Sequence, residues 1–312
     1  MKSATITAEV APAHTQMEVV EACCVCQSAE IQQIDPECNL CRCPRCGYLF
    51  DSPRPSQEKI IEFYSRSGKY DSWLRESDAR DHLWKRRLKM VLRHRSEGNL
   101  LDIGAGIGQF LHHARPYFAD VAGTEISSSA ARVARERYGL EIGIGAVEDL
   151  NLPDSFFDNI TLFHLLEHVP DPAALARKCH RLLKPGGCLV IAVPNDVLAW
   201  GSAVKRFGRK MGMKSFRKFS RVLGIAKAGS SKEIHLSHFT PAVLRTLIKN
   251  AGFEVLEEGL DPYYVSTGLR KTAHTLYYWL HRMFFAVTGA NRYETIWMIA
   301  CKTSENGRRT AI

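Results

Sequence analysis

No apolar run in this sequence reaches the ~20 residues that a membrane-spanning helix needs. The longest, Thr275 to Gly289, is broken by His281 and Arg282 and is expected to form a buried or interfacial helix. Met1 to Gln16 lacks the apolar centre of a signal peptide and reads as a loose leader of a cytoplasmic protein. Internal repeats are missing, which argues against a solenoid. Cysteine is scarce outside one segment: seven of the ten fall between Cys23 and Cys46, and such clustering without an export signal favours metal over disulfides. Acidic residues are absent from Gly201 to Lys232, which carries ten Lys and Arg, so the rest of a chain with net charge +9 is nearly neutral. A block so basic points to an anionic partner such as phosphate, phospholipid or nucleic acid.

What is present suits one α/β domain with a small addition. A chain of 312 residues, 45% hydrophobic and 24% charged, can bury a full core and is neither disordered nor a membrane bundle. The expected organisation is a leader over 1–20, a cysteine module over 21–52, a linker with N-terminal helices over 53–98, a nucleotide-binding domain over 99–302 with the basic insertion 201–232, and a tail over 303–312. Helical spacing runs from Gln57 to Arg95, as in Ile60, Phe63 and Tyr64, then Leu83, Leu88, Val91 and Leu92.

From Asn99 the pattern alternates. A strand Asn99 to Ile103 runs into Gly104-Ala105-Gly106-Ile107-Gly108 and a helix from Gln109. A strand Asp120 to Thr124 ends at Glu125, and further strands are expected at Asn159 to Phe163 and Cys188 to Val193 around a helix Pro172 to Leu183. Alternation of this kind implies a doubly wound, mainly parallel sheet covered on both faces. Asp171-Pro172 and Thr240-Pro241 mark helix starts. Phe253 to Glu257 and Thr295 to Cys301 are expected to close the sheet as antiparallel edge strands.

Glycines directly after a strand let a ligand approach the backbone and the unpaired amides of the next helix. The spacing is G-x-G-x-G, with Gln109 where the dinucleotide fingerprint needs glycine, which weakens a nicotinamide reading. Glu125, 21 residues beyond Gly104, can accept hydrogen bonds from both hydroxyls of a ribose. The C-x-x-C pairs Cys23/Cys26 and Cys43/Cys46, 16 residues apart, fit a four-thiolate zinc ribbon, a closed and therefore structural Zn2+ site. Cys24, Cys38 and Cys41 leave room for another ligand set, for an iron-sulfur site or for unliganded thiols.

The run Leu100 to Gly108 resembles the first motif of class I methyltransferases, which use S-adenosylmethionine (SAM). The likeness continues through Phe157-Asp158, Leu166-Glu167-His168-Val169 and Leu183-Lys184-Pro185-Gly186-Gly187. This resemblance implies a Rossmann-like methyltransferase fold and SAM as cofactor. Asp102 and the loop Gly104, Ala105, Gly106 and Gly108 would then hold the methionine part and Glu125 the ribose. Ala146 and Val147 would lie against the adenine, with Glu148 or backbone serving its amino group because many relatives carry Asp at the position of Ala146. His164 would line the pocket near the sulfonium, and His168 would serve helix packing. A cysteine-rich unit followed by an Arg-Pro linker and Phe63-Tyr64 and Tyr70 resembles a bacterial subset that modifies glycans, lipids or secondary metabolites.

His235-Leu236-Ser237-His238 resembles a histidine-bearing segment at the active-site mouth of many such enzymes, which makes His235 the candidate catalytic base or orienting group. The insertion 201–232 contains two amphipathic stretches, Val204/Phe207/Met211 and Phe216/Phe219/Leu223, and reads as a helical substrate cover that could also touch a membrane surface. The expected acceptor is a small molecule or a lipid- or glycan-linked compound, anionic in character. An RNA methyltransferase is weaker because no aromatic and basic interleaving is seen. A nicotinamide-dependent oxidoreductase or a noncatalytic SAM-binding protein would also carry a glycine loop followed by a ribose-binding carboxylate.

Overall fold

The computed structural model describes residues 17–36, 39–66, 70–94, 97–211 and 233–303. The cysteine-rich segment forms short strands: β1 (Met17–Glu18), β2 (Gln32–Asp35), β3 (Leu40–Arg42), β4 (Leu49–Asp51) and β5 (Arg54–Pro55). β2, β3 and β4 make an antiparallel meander, while β1 pairs with β5 and the Val20 amide donates to Ser52 Oγ at 2.9 Å. The end of the expected loose leader is therefore tied down, and residues 1–16 lie outside the described residues.

Three helices follow: α1 (Gln57–Tyr64), α2 (Asp71–Arg75) and α3 (Ser77–Leu92). The α/β core then runs β6 (Asn99–Ile103), α4 (Gln109–Ala114), β7 (Asp120–Glu125), α5 (Ser128–Tyr138), β8 (Gly143–Ile144), β9 (Phe157–Phe163), α6 (Pro172–Leu182) and β10 (Leu183–Pro194). It closes with α7 (Trp200–Lys210), β11 (Ser237–His238), α8 (Pro241–Asn250), β12 (Phe253–Gly259), α9 (Gly268–Thr288) and β13 (Thr295–Lys302). The basic insertion is described only as far as Met211. Phe216, Phe219 and Leu223 lie outside the described residues.

The seven-stranded sheet has the order β12-β13-β10-β9-β6-β7-β8, with β13 antiparallel to both neighbours and the remaining pairs parallel. Both faces of β9 and almost all of β6 are buried, as continuous apolar runs in a covered parallel sheet require. Helix starts follow local chemistry. The Asp171 carboxylate accepts from the Ala173 and Ala174 amides at 2.9 Å each, with Pro172 preset for the first turn, and Thr240 does the same for Val243. β10 begins at Leu183, ahead of the expected start at Cys188, because a register shift absorbs the Gly186-Gly187 turn within the strand. β13 is not an edge strand as expected: it inserts between β10 and β12 and leaves β12 at the edge.

The chain leaves β6 for β7 and β8 on one side and returns to β9 on the other. This reversal opens a crevice at the carboxyl ends of β6 and β9, where α/β sheets bind ligands.

Candidate functional site

A chamber of about 820 Å³ fills that crevice, roofed by α1 to α3. Gly104, Gly106, Glu125, Ala146, Val147 and His164 line it, as do Glu148 and Arg80. Asp102, Ala105, Gly108 and His235 are not part of its lining.

The glycine loop divides its labour. Gly106 has φ +55°, and a Cβ there would stand 2.9 Å from the Trp73 ring, so only glycine lets α2 close over the loop. Gly108, at φ +76°, faces Ala134 and Leu140 at 3.0 Å and serves helix packing, not ligand approach. The Glu125 carboxylate braces the loop: Oε2 accepts from the Gly106 amide at 2.8 Å and Oε1 from the Ser127 amide at 3.0 Å. A carboxylate has about four lone-pair directions, so these two bonds leave acceptor capacity for a ligand. Asp102 sits below, accepting from Thr161 Oγ1 at 2.6 Å, and burial pushes its carboxyl up to about 7.

The chamber's other end is rich in imidazole. His164 adopts φ +53°, a strained conformation for a non-glycine residue, which presents its ring to the chamber. Its Nδ1 is 3.2 Å from Glu167 Oε1 and its Nε2 3.7 Å from Asp261 Oδ2. Burial opposes its charge, but these carboxylates outweigh burial and raise its pKa. His168 packs edge-on against Tyr64 of α1, as a helix-packing role requires. It lines the chamber, and its Nδ1 faces both the Ile234 carbonyl and, at 3.0 Å, the Tyr64 hydroxyl.

His235 lies one layer behind, its ring 4.9 Å from that of His168. Asp196 Oδ2 stands 3.5 Å from its Nδ1 and Glu233 Oε2 3.5 Å from its Nε2. Burial disfavours the charge, yet the two carboxylates prevail and hold the pKa at about 10. An imidazolium has no lone pair with which to take a proton. Flanked in this way by two carboxylates, His235 is held toward its protonated form, which suits the orienting role expected of it better than that of a base. His238 pairs with buried Asp51 of the cysteine module at 3.2 Å.

Several residues of the site were not singled out from sequence. Arg80 is buried against the chamber with its guanidinium 4.1 Å from the Trp73 ring centroid, and its Nε has no hydrogen-bond partner. Arg87 and Asp261, both fully buried, form a bidentate pair that pins α3 to the segment after β12. Burial penalises Asp261, but the Arg87 charge holds it down at about 2. Each is one charge among many in its segment, and only the fold shows which cations turn inward.

The thiols of Cys23, Cys26, Cys43 and Cys46 converge, with all Sγ atoms within 4.8 Å of one another and two cross pairs at 3.5 Å. Four sulfurs around a zinc, each at about 2.3 Å, stand about 3.8 Å apart, so this donor set fits the ion. Cys24 is not in the cluster, and Cys41 turns away to the Ser52 carbonyl. Cys38 lies outside the described residues.

Residues 74–258 match the family model described as methyltransferase domain, more than half of the chain. An uncharacterized protein of Methanocaldococcus jannaschii is 32% identical over 124 residues, covering 40% of this chain and 57% of that protein. A ubiquinone biosynthesis O-methyltransferase of Xylella fastidiosa is 39% identical over 111 residues, covering 33% of this chain and 45% of that enzyme. The chain thus spans about half the length of the curated relatives it matches. Among solved structures, a SAM-dependent methyltransferase of Thermotoga maritima superposes with a TM-score of 0.52 at 19% identity, covering 78% of this chain and 100% of that one, a likeness of fold.

Proposed function

This chain belongs to the methyltransferase-domain family, and on that premise we propose that it is a SAM-dependent methyltransferase acting on an anionic small-molecule, lipid-linked or glycan acceptor. The observation that carries the cofactor assignment is Glu125, a buried carboxylate that braces the glycine loop through the Gly106 and Ser127 amides and also lines the chamber. A cis-diol is the partner that such a carboxylate fits. Gly104 and Gly106 give the methionine part access to the backbone. Arg80, buried and incompletely bonded beside Gly106, is suited to the methionine carboxylate. Ala146 and Val147 form an apolar wall for adenine, and Glu148 is the acceptor at hand for its amino group.

Bound SAM supplies a methyl on a sulfonium, and the protein's task is alignment and exclusion of water. Tyr64, Tyr263, Arg66, Arg75 and Glu233 line the remaining space, and the two arginines are the groups suited to anchor an acceptor with an apolar body and a negative charge. A lipid surface suits the outer face of α9. Leu269, Leu276, Trp279, Leu280, Met283 and Val287 are exposed there, and Trp200 of α7 packs against the helix through His281 and Phe284, extending the patch to Val204 and Phe207. Residues 268–288 contain Arg270, Lys271 and Arg282 but no acid, the composition of an interfacial helix on anionic lipid. No helix among the described residues is long and apolar enough to cross a membrane. Cys23, Cys26, Cys43 and Cys46 would hold a structural zinc.

Calorimetric titration with SAM, its demethylated product and NAD tests the cofactor, and transfer of labelled methyl to lipid, glycan, RNA and small-metabolite fractions tests the acceptor. Preference for NAD, or label in RNA alone, would overturn the proposal.

A further inference from the structure

The imidazole-rich wall contains a group that the proposed cofactor does not explain. Glu167 is 1% exposed; its Oε1 stands 3.2 Å from His164 Nδ1, and neither carboxylate oxygen has a well-directed hydrogen bond. A buried carboxylate whose bonds are this loosely made gains from a further positive centre. Donor atoms of Glu167, His168 and His235 all lie within 4.8 Å of one another. The tautomer of His168 follows from its surroundings. Its Nδ1 faces the Ile234 carbonyl, which can only accept, so the proton sits on Nδ1 and the lone pair on Nε2 is turned toward Glu167 Oε1 at 3.7 Å. Two electron-pair donors thus confront each other across a gap, and His235 closes the third side.

We propose that Glu167, His168 and His235 form a second metal site, specific for a divalent transition-metal cation and distinct from the cysteine cluster. Two imidazoles and one carboxylate are the donor set that borderline ions such as zinc, cobalt or ferrous iron prefer, and three protein ligands leave coordination positions open. The carbonyl bond to His168 Nδ1 is the outer support that fixes a metal-binding imidazole.

The place of this site assigns it a use, which rests on the methyltransferase reading as the site itself does not. His168 and Glu233 line the chamber, so an acceptor hydroxyl entering there reaches the cation. Coordination lowers the pKa of that hydroxyl, whose proton passes to water. The resulting alkoxide oxygen forms the bond to the methyl carbon as the carbon–sulfur bond breaks, and the electron pair stays on the sulfur of the demethylated product.

The test is a cobalt titration of the full-length protein carrying its native complement of zinc. Cobalt in the cysteine cluster would show a thiolate charge-transfer band, whereas cobalt held by imidazole and carboxylate shows only ligand-field bands. We expect one cobalt per chain of the second kind, weakened at least about tenfold in Glu167→Gln and in His235→Asn, each checked for an unchanged thermal midpoint. Absence of such binding in the wild type, or undiminished binding in both folded variants, overturns the proposal. Cobalt binding without methyl transfer to any acceptor would leave the site standing and remove the enzymatic reading instead.

Discussion

Replacing Glu125 by Gln probes the cofactor assignment with little change in volume. In the native protein both carboxylate oxygens accept amide hydrogen bonds, from Gly106 at 2.8 Å and Ser127 at 3.0 Å. A glutamine can satisfy only one of these, since its NH2 group would face the other N–H. Acceptor capacity toward the chamber falls as well, and the remaining bonds are no longer charge-assisted. Hydrogen bonds to charged groups contribute about 1.5 to 3 kcal/mol each, so losing the charged contact to the ribose should weaken binding by roughly 10- to 150-fold. Calorimetry with the demethylated product measures this directly. A control separates the loop from the ligand: an analogue lacking a ribose hydroxyl should lose far less affinity on mutation than the parent, giving a coupling energy in a double cycle. Equal losses for both ligands would mean that Glu125 acts only by bracing the loop. An unchanged affinity in folded protein would remove Glu125 from the site altogether.

Other expectations follow from the same geometry. Cys43→Ser should release about one zinc per chain by elemental analysis, and full retention would show that these thiols do not hold it. Arg87→Met should cost about 3 to 5 kcal/mol in urea unfolding, because it strands the buried Asp261 charge, and a loss below about 1 kcal/mol would contradict the pairing. Asp102, with its carboxyl raised to about 7, is neutral below that pH and anionic above it. Affinity for the cationic SAM should therefore rise between pH 6 and 8 and flatten in Asp102→Asn, as followed by calorimetry. Trp279→Ala combined with Lys271→Glu should reduce sedimentation with anionic vesicles while leaving SAM affinity unchanged. Equal wild-type binding to neutral vesicles would refute the role of charge.

The parts legible in the sequence are those whose chemistry is local. Gly104 to Gly108 after a buried strand, Glu125 at the end of the next, and the Asp171-Pro172 cap all state their structure within a few residues. Glu125, Ala146 and Val147, all placed near local motifs, line the chamber. What could not be read is pairing over distance. Nothing near His235 in the sequence announces that Asp196 stands against its ring, opposite Glu233. Arg80 and Arg87 sit in one cation-rich helix, and only packing against Trp73 and Asp261 distinguishes them from solvated neighbours. The glycine spacing likewise gave no hint that Gly108 faces α5 instead of a ligand.

The longest of these pairings joins the cysteine module to the acceptor side of the chamber. β11 adds to the module's meander beside β4, with Ser237 opposite Phe50 and His238 opposite Leu49. Tyr48 hydrogen-bonds Ser237, and the Asp51 amide donates to the Leu236 carbonyl at 3.0 Å. The Leu236 and Ser237 amides in turn donate to the carbonyl of Glu167. Glu233 and His235 therefore hang from a segment clamped on one side by the module and on the other by the β9–α6 loop. Phe50 and Tyr48 also share a core with Phe239 and Leu244, so the module is not an appendage that could swing freely. Four thiolates around an ion would stiffen β3 and β4, and through β11 they would fix the histidines that face the acceptor. On this argument Cys43→Ser should raise the acceptor's KM at nearly constant SAM affinity, because the glycine loop and Glu125 are held by β6 and β7 and, among the described residues, make no contact with the module. A purely thermal effect, with both constants unchanged below the unfolding transition, would show that the module supports the fold without positioning the site.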